Sequence, residues 1–76
     1  MAIYVLKNFI TNEVKTFKYI RNAYSFVVDY LKVNNLYTDE NFKELIDSYD
    51  RNNFTGFYIK GIFNCFRTVV EDYKED

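Results

Sequence analysis

The sequence of 76 residues contains no histidine, no tryptophan and no proline, and it has one cysteine. The single thiol, Cys65, excludes a disulfide within the chain. The absence of histidine removes the commonest zinc ligand and the usual general base at neutral pH. Because a chain this short buries only about 60% of the surface of its unfolded state, we expect its stability to depend on side-chain packing or on a partner.

The sequence also lacks the residue patterns that are typical of active sites. Nucleophilic catalysis needs a nucleophile with a base in reach, and without histidine we interpret Cys65 as a small, partly buried hydrophobe. Gly56 and Gly61 have the spacing of two glycines in a phosphate-binding loop, but Ile62 and Phe63 follow where lysine and serine or threonine are needed. We therefore predict that the protein is not an enzyme and binds no metal or cofactor.

Charge and hydropathy give little indication of a nucleic acid or membrane partner. The net charge is −1 and the isoelectric point about 5.3, so no general attraction to anionic surfaces is expected. The chain shows no secretion signal and no apolar run near the ~20 residues of a membrane span, and we expect a cytoplasmic protein. Half of the residues are Phe, Ile, Asn, Lys or Tyr, which have AT-rich codons. This bias indicates a low-GC genome and is common in phages and mobile elements.

Aromatic residues are the most distinctive part of the composition. Eight Phe and eight Tyr make up 21% of the chain. Each aromatic side chain can bury roughly 150–250 Å², and sixteen are many for a core of this size. Some are therefore expected at the surface. They either form a rim with tyrosine hydroxyls in water or a patch that binds a partner.

Hydrophobic periodicity predicts a small α+β fold in a single domain, residues 1–76. The predicted elements are a β-hairpin (2–10 and 13–20), helices over 22–34 and 39–50, a short third strand (54–60) and a further helix (62–73). Asn22 and Thr38 are the expected N-caps of the first two helices. The last segment keeps a strand as its alternative, because Ile, Phe and Val also favour sheets.

The predicted hairpin has apolar residues on both faces. A two-residue turn at Thr11 and Asn12 places Tyr4 opposite Tyr19. One face then carries Tyr4, Leu6, Phe17 and Tyr19, and the other carries Ile3, Val5, Phe9, Val14 and Ile20. A hairpin covered on one side would show a cleaner alternation. The second face is therefore expected either to be covered or to meet another molecule.

These observations favour a non-enzymatic protein-binding module, acting as a homodimer or as a steric inhibitor or modulator of a larger host protein. The predicted partner-binding residues are Tyr4, Lys18, Tyr19, Tyr37 and Tyr58. The alternative is a protein that binds single-stranded nucleic acid, with aromatic rings for stacking and hairpin lysines for the phosphates. The lysines in question are Lys7, Lys15 and Lys18.

Overall fold

Four antiparallel strands form one sheet, and two helices cover one side of it. The computed structural model of this protein describes residues 1–71. In chain order the elements are β1 (Ala2–Asn8), β2 (Val14–Phe17), α1 (Ile20–Val33), α2 (Asp39–Arg51), β3 (Gly56–Ile59) and β4 (Phe63–Val69). The strands lie in the order β2-β1-β4-β3, so the first and last strands are neighbours in the middle of the sheet. The predicted α+β class is confirmed.

The predicted helix over 62–73 is wrong in the described residues, and its strand alternative is correct. Residues 63–69 form β4, which pairs with β1 on one side and with β3 on the other. Phe63 and Cys65 point toward the helices, and Phe66 points away from them. The apolar residues fit a helical spacing, but pairing partners on both sides and the aromatic and β-branched content favour a strand. Residues 72 and 73 of this prediction lie outside the described residues.

The predicted hairpin is present, but its register differs by two residues. Tyr4 lies opposite Phe17 and not opposite Tyr19. The Asn8 side-chain oxygen accepts hydrogen bonds from the N–H groups of Ile10 (2.9 Å) and Thr11 (3.1 Å), which folds residues 9–13 into a loop longer than the predicted two-residue turn. Because the shift is even, every residue within β1 and β2 keeps its predicted face, whereas Ile20, predicted on the face of Ile3 and Val5, begins α1 and packs against the core.

The start of β3 is set by the backbone that precedes it. Asn53 and Phe54 have φ values of 53° and 61°, which are incompatible with an extended strand. Strand β3 therefore begins at Gly56 instead of the predicted residue 54. The left-handed conformation is common for asparagine but unusual for a bulky residue such as phenylalanine.

The two helices agree with the predicted segments within a few residues. Thr38 is the N-cap of α2, and its hydroxyl accepts a hydrogen bond from the Asn41 N–H at 3.1 Å, as the sequence predicts. Helix α1 begins earlier than predicted, at Ile20. Its N-cap is Tyr19 and not Asn22, and no side chain caps it. Among the described residues, no helix has the length and apolar character needed to cross a membrane.

The hydrophobic core lies between the helices and one face of the sheet. Its buried members are Leu6, Ala23, Val27, Leu31, Leu45, Phe57, Ile59, Phe63 and Cys65. Aromatic rings extend this core at its periphery, where Tyr30 meets Phe63 edge-on with ring centroids 5.1 Å apart. The helix-covered face of the sheet thus accounts for part of the aromatic excess, and the remainder lies elsewhere.

Candidate functional site

The face of the sheet turned away from the helices is the candidate functional site, and we call it the open face. Successive side chains of a strand alternate between the two faces, and residues in register point the same way. Because Leu6 and Cys65 are in register and point into the core, the side chains of Val5 and Phe66 project from the open face. By the same register, the open face consists of Ile3, Val5, Lys7, Val14, Thr16, Gly56, Tyr58, Asn64, Phe66 and Thr68.

Large apolar side chains are exposed on the open face. Phe66 on the central strand β4 is 47% exposed, and Val14 on the edge strand β2 is 57% exposed. Tyr58 on the opposite edge is 36% exposed. Ile3 is buried, although it lies outside the main core. The face therefore combines a packed aliphatic region with uncovered aromatic and aliphatic groups.

The distribution of charge separates the sheet from α2. The four strands contain Lys7, Lys15 and Arg67 and no acidic residue. Helix α2 carries five carboxylates: Asp39, Glu40, Glu44, Asp47 and Asp50. The open face has no carboxylate of its own, and its one cationic side chain, Lys7, lies with its Nζ atom 5.6 Å from the ring centroid of Phe9. A partner with acidic groups suits the sheet better than it suits α2.

Side chains from α2 cover the outer edge of β3. The Ser48 hydroxyl oxygen accepts a hydrogen bond from the Tyr58 N–H at 2.9 Å. The same hydroxyl donates its proton to the carbonyl oxygens of Tyr58 and Leu45, each 3.0 Å away. The Glu44 carboxylate accepts a hydrogen bond from the Lys60 N–H. The backbone groups that an edge strand would leave free for another strand are thus occupied at Tyr58 and just after the strand at Lys60.

The Tyr58 side chain is also fixed by α2. An Arg51 guanidinium nitrogen donates a hydrogen bond to its hydroxyl at 2.7 Å. The same guanidinium carbon lies 5.7 Å from the Tyr58 ring centroid. The two contacts hold an aromatic ring and a cation together at the margin of the open face, which is a common combination at protein interfaces.

Three of the five predicted partner-binding residues come together away from the open face. Tyr4, Lys18 and Tyr19 line a shallow cavity of about 170 Å³ together with Ile20 and Arg21. The Arg21 guanidinium carbon lies 4.5 Å from the Tyr19 ring centroid. Tyr4 points toward the helices and packs against the core, so its ring is partly buried and not part of a free surface.

The other two predicted residues lie at separate places. Tyr37 is in the connection between the helices, with its ring centroid 5.2 Å from that of Phe42 and 5.2 Å from Lys32 Nζ. Tyr58 is the one predicted residue on the open face. The five residues therefore do not form one continuous surface.

The three hairpin lysines proposed for phosphate binding also do not share a face. Lys7 is in register with Val14 on the open face. Lys15 is in register with Leu6 on the helix-covered side, and its Nζ atom lies 4.7 Å from the ring centroid of Phe26. Lys18 follows the end of β2. A single strand of nucleic acid on the open face would meet Lys7 and not the other two.

Cys65 lies in the core, as the sequence indicates, although on a strand and not on a helix. It is buried between the sheet and the helices. Burial raises the pKa of its thiol from 9.0 to about 12, because the thiolate would lose its hydration. Within residues 1–71, no group of three or more potential His, Cys, Asp or Glu metal ligands is found.

Sequence reasoning missed the roles of Phe66 and Ser48. Phe66 was assigned to the apolar stripe of the wrongly predicted helix, so its exposure on a sheet face was not foreseen. Ser48 follows Leu45 by three residues and therefore lies on the buried side of α2. A small hydroxyl residue at such a position is a signal for a buried hydrogen bond.

Comparisons of this chain with protein-family models, with curated proteins and with solved structures find no match.

Proposed function

We propose that this protein is a non-enzymatic binding module that engages another protein through the open face. The observation that carries the proposal is the exposure of Phe66, Val14 and Tyr58 on a sheet face that no helix covers. Leaving large apolar groups in water is unfavourable by about 25 cal/mol per Å². A partner that covers them recovers this free energy.

The position of Phe66 suits a central anchor. It lies on β4, one of the two inner strands, and Val5 is its neighbour in register on β1. Interfaces draw most of their binding energy from a few central aromatic or arginine residues surrounded by a polar rim. Tyr58 with Arg51 on one edge and Lys7 near the β1–β2 loop provide polar and cationic groups for such a rim.

The partner is either a second copy of the chain or a larger host protein. In the second case the mechanism is steric, since the module occupies a surface that the host protein uses. The cavity formed by Tyr4, Lys18 and Tyr19 extends the proposal to a second contact region. The proposed cytoplasmic location and phage or mobile-element origin rest on composition alone.

The experiment compares Phe66→Thr with a matched control on the helix side, Ile46→Thr. Ile46 is 41% exposed on α2, close to the 47% of Phe66, and threonine favours strands at position 66. We expect Phe66→Thr to weaken self-association in sedimentation, or binding to a protein captured from lysate of the source cells, by more than about tenfold. The control should bind as the wild type does. Equal binding by both variants would contradict the use of the open face.

A second candidate function is binding of single-stranded nucleic acid on the same face. The observation that favours it is the combination of Phe66, Tyr58 and Lys7 on a face without carboxylates. Exposed aromatic rings on a four-stranded sheet can stack on bases. The measurement is binding of oligothymidine at increasing salt. Affinity that falls steeply with salt supports this candidate, and no binding at low salt excludes it in favour of a protein partner.

A further inference from the structure

Strand β4 extends beyond its neighbour β3, and this leaves a stretch of backbone without a partner strand. All seven residues of β4 pair with β1. On the other side, β3 pairs only with residues 63–66 of β4, the last pair being Gly56 with Phe66. Residues 67–69 therefore have a strand on one side only. We call the space beside them, on the β3 side, the β4 gap.

The hydrogen-bond alternation of antiparallel strands identifies the backbone groups that face the β4 gap. Met1 and Val70 exchange two hydrogen bonds, of 3.0 and 2.8 Å, and the Phe9 N–H donates to the Ile62 carbonyl at 2.9 Å. In an antiparallel pair of strands, every second residue forms hydrogen bonds to the neighbouring strand. Counted from these two pairs, the even-numbered residues of β4 form hydrogen bonds to β1. The N–H and C=O groups of Arg67 and Val69 consequently point to the β3 side. Because Gly56 pairs with Phe66, the Arg67 N–H lies opposite the Thr55 carbonyl, and the groups that face the gap are the Arg67 C=O and the N–H and C=O of Val69.

The chain that precedes β3 turns away and does not fill the β4 gap. The Thr55 N–H donates to the Asn52 carbonyl at 3.1 Å, so this backbone closes a turn and does not continue the ladder along β4. A groove of about 440 Å³ runs over the paired residues of β3 and β4 and reaches the start of the gap at Thr55 and Arg67. Gly56 contributes no side chain to it, and a Cβ atom there would lie 2.8 Å from the Cys65 carbonyl oxygen.

We propose that the β4 gap is a strand-addition site for an extended segment of a protein partner that carries an acidic residue opposite Arg67. Three outward backbone groups, the Arg67 C=O and the N–H and C=O of Val69, provide the hydrogen bonds of such a strand, and side-chain contacts provide specificity. Arg67 is exposed, and the ion pair found within residues 1–71 joins Lys43 and Asp47 instead. An opposite charge across an antiparallel pair is favourable. This inference rests on the proposed protein-binding function and specifies one partner chemistry for it.

The test uses the ¹⁵N-labelled protein and a blocked peptide, Thr-Val-Glu-Val-Thr, with a second peptide in which lysine replaces glutamate. We expect the amide signals of Arg67 and Val69 to shift on titration, and the glutamate peptide to bind about fivefold more tightly than the lysine peptide. Arg67→Glu should reverse this preference. An unchanged preference would overturn the role of Arg67.

The blocking variant is Val69→Pro, with Asp39→Pro as its control. Proline at position 69 removes an N–H that faces the β4 gap and leaves the ladder with β1 intact. Asp39 is the first residue of α2, where proline is tolerated because the N–H has no acceptor within the helix. We expect Val69→Pro to weaken binding of the peptide about fivefold or more and Asp39→Pro to leave it unchanged. Circular dichroism verifies that both variants fold.

Four results would overturn the inference. Equal peptide binding by Val69→Pro and the wild type excludes the gap, as does equal weakening by both proline variants. A wild-type dimer that Val69→Pro converts to a monomer assigns the gap to a second copy and not to an acidic partner segment. If the peptide does not bind but Phe66→Thr still abolishes partner binding, the inference fails while the proposed function remains.

Discussion

Strand β3 and the last three residues of β4 border solvent on the same side of the sheet, but only β3 is covered. Along β3, Ser48 and Glu44 of α2 occupy the outward backbone groups of Tyr58 and Lys60. Beyond Gly56 no helix or strand of residues 1–71 performs this role for the Arg67 carbonyl or for Val69. Proteins normally protect sheet edges against pairing with other chains. The comparison therefore distinguishes a protected edge from one that remains available for binding.

The two faces of the sheet show the same contrast. Phe57 on β3 is 1% exposed beneath the helices, and Phe66 on β4 is 47% exposed on the open face. Both are phenylalanines on adjacent strands, so the difference lies in what covers them. The covered side maintains the fold, and the uncovered side is the surface for which we propose a partner.

The largest expected effect comes from truncating these two rings. Phe57→Ala should lower the free energy of unfolding by about 3–5 kcal/mol, because it leaves a cavity in the core. Phe66→Ala should lower it by less than about 1 kcal/mol, since half-exposed positions contribute little. Urea denaturation measures both values. Equal losses would show that the open face is as well packed as the helix-covered one.

Ser48→Ala should destabilise the protein by about 2 kcal/mol, since each buried backbone group left unsatisfied costs about 1–3 kcal/mol. The substitution removes the acceptor for the Tyr58 N–H and the donor to its carbonyl. It also exposes the β3 edge, so light scattering should detect more aggregation than in the wild type. Ser48→Thr, which keeps the hydroxyl, tests whether the loss comes from the hydrogen bonds. Wild-type stability in Ser48→Ala would show that α2 does not protect this edge.

At alkaline pH the buried thiol of Cys65 should lower stability. Burial raises its pKa from 9.0 to about 12. Between these values the unfolded chain releases the proton and the folded chain retains it, so the unfolding free energy falls as pH rises, by up to about 1.4 kcal/mol per pH unit. Below pH 9 the contribution is constant.

The control for this prediction is Cys65→Ala, because burial also raises the pKa of Tyr24, so that this side chain contributes to the pH dependence as well. The difference in slope between wild type and Cys65→Ala isolates the thiol. Parallel slopes above pH 9 would show that the thiolate is hydrated in the folded state.

Local signals in the sequence were sufficient to predict α2 and the two faces of the hairpin. Phe42, Leu45 and Tyr49 recur at helical spacing, and Thr38 is a favourable cap that the structure uses. The exact hairpin register was not predictable, because it depends on the Asn8 side chain folding the following loop.

The sequence predicted β4 and the open face less well, since both depend on contacts distant in the chain. The spacing of Ile62, Phe63 and Phe66 fits one face of a helix. The segment forms a strand because it pairs with β1 and β3 on its two sides. Tyr4 and Tyr19 were predicted to lie opposite each other and to bind a partner. The shifted register and the helices bury most of the first and leave the second exposed.

Native-state hydrogen exchange along β4 tests the central claim most directly. The amides of Phe66 and Thr68 face β1 and that of Arg67 faces the Thr55 carbonyl, so all three should exchange slowly, whereas the Val69 amide faces the β4 gap and should exchange much faster. The account predicts this difference within one central strand. Equally slow exchange at all four amides would show that the gap is already filled and would contradict the account.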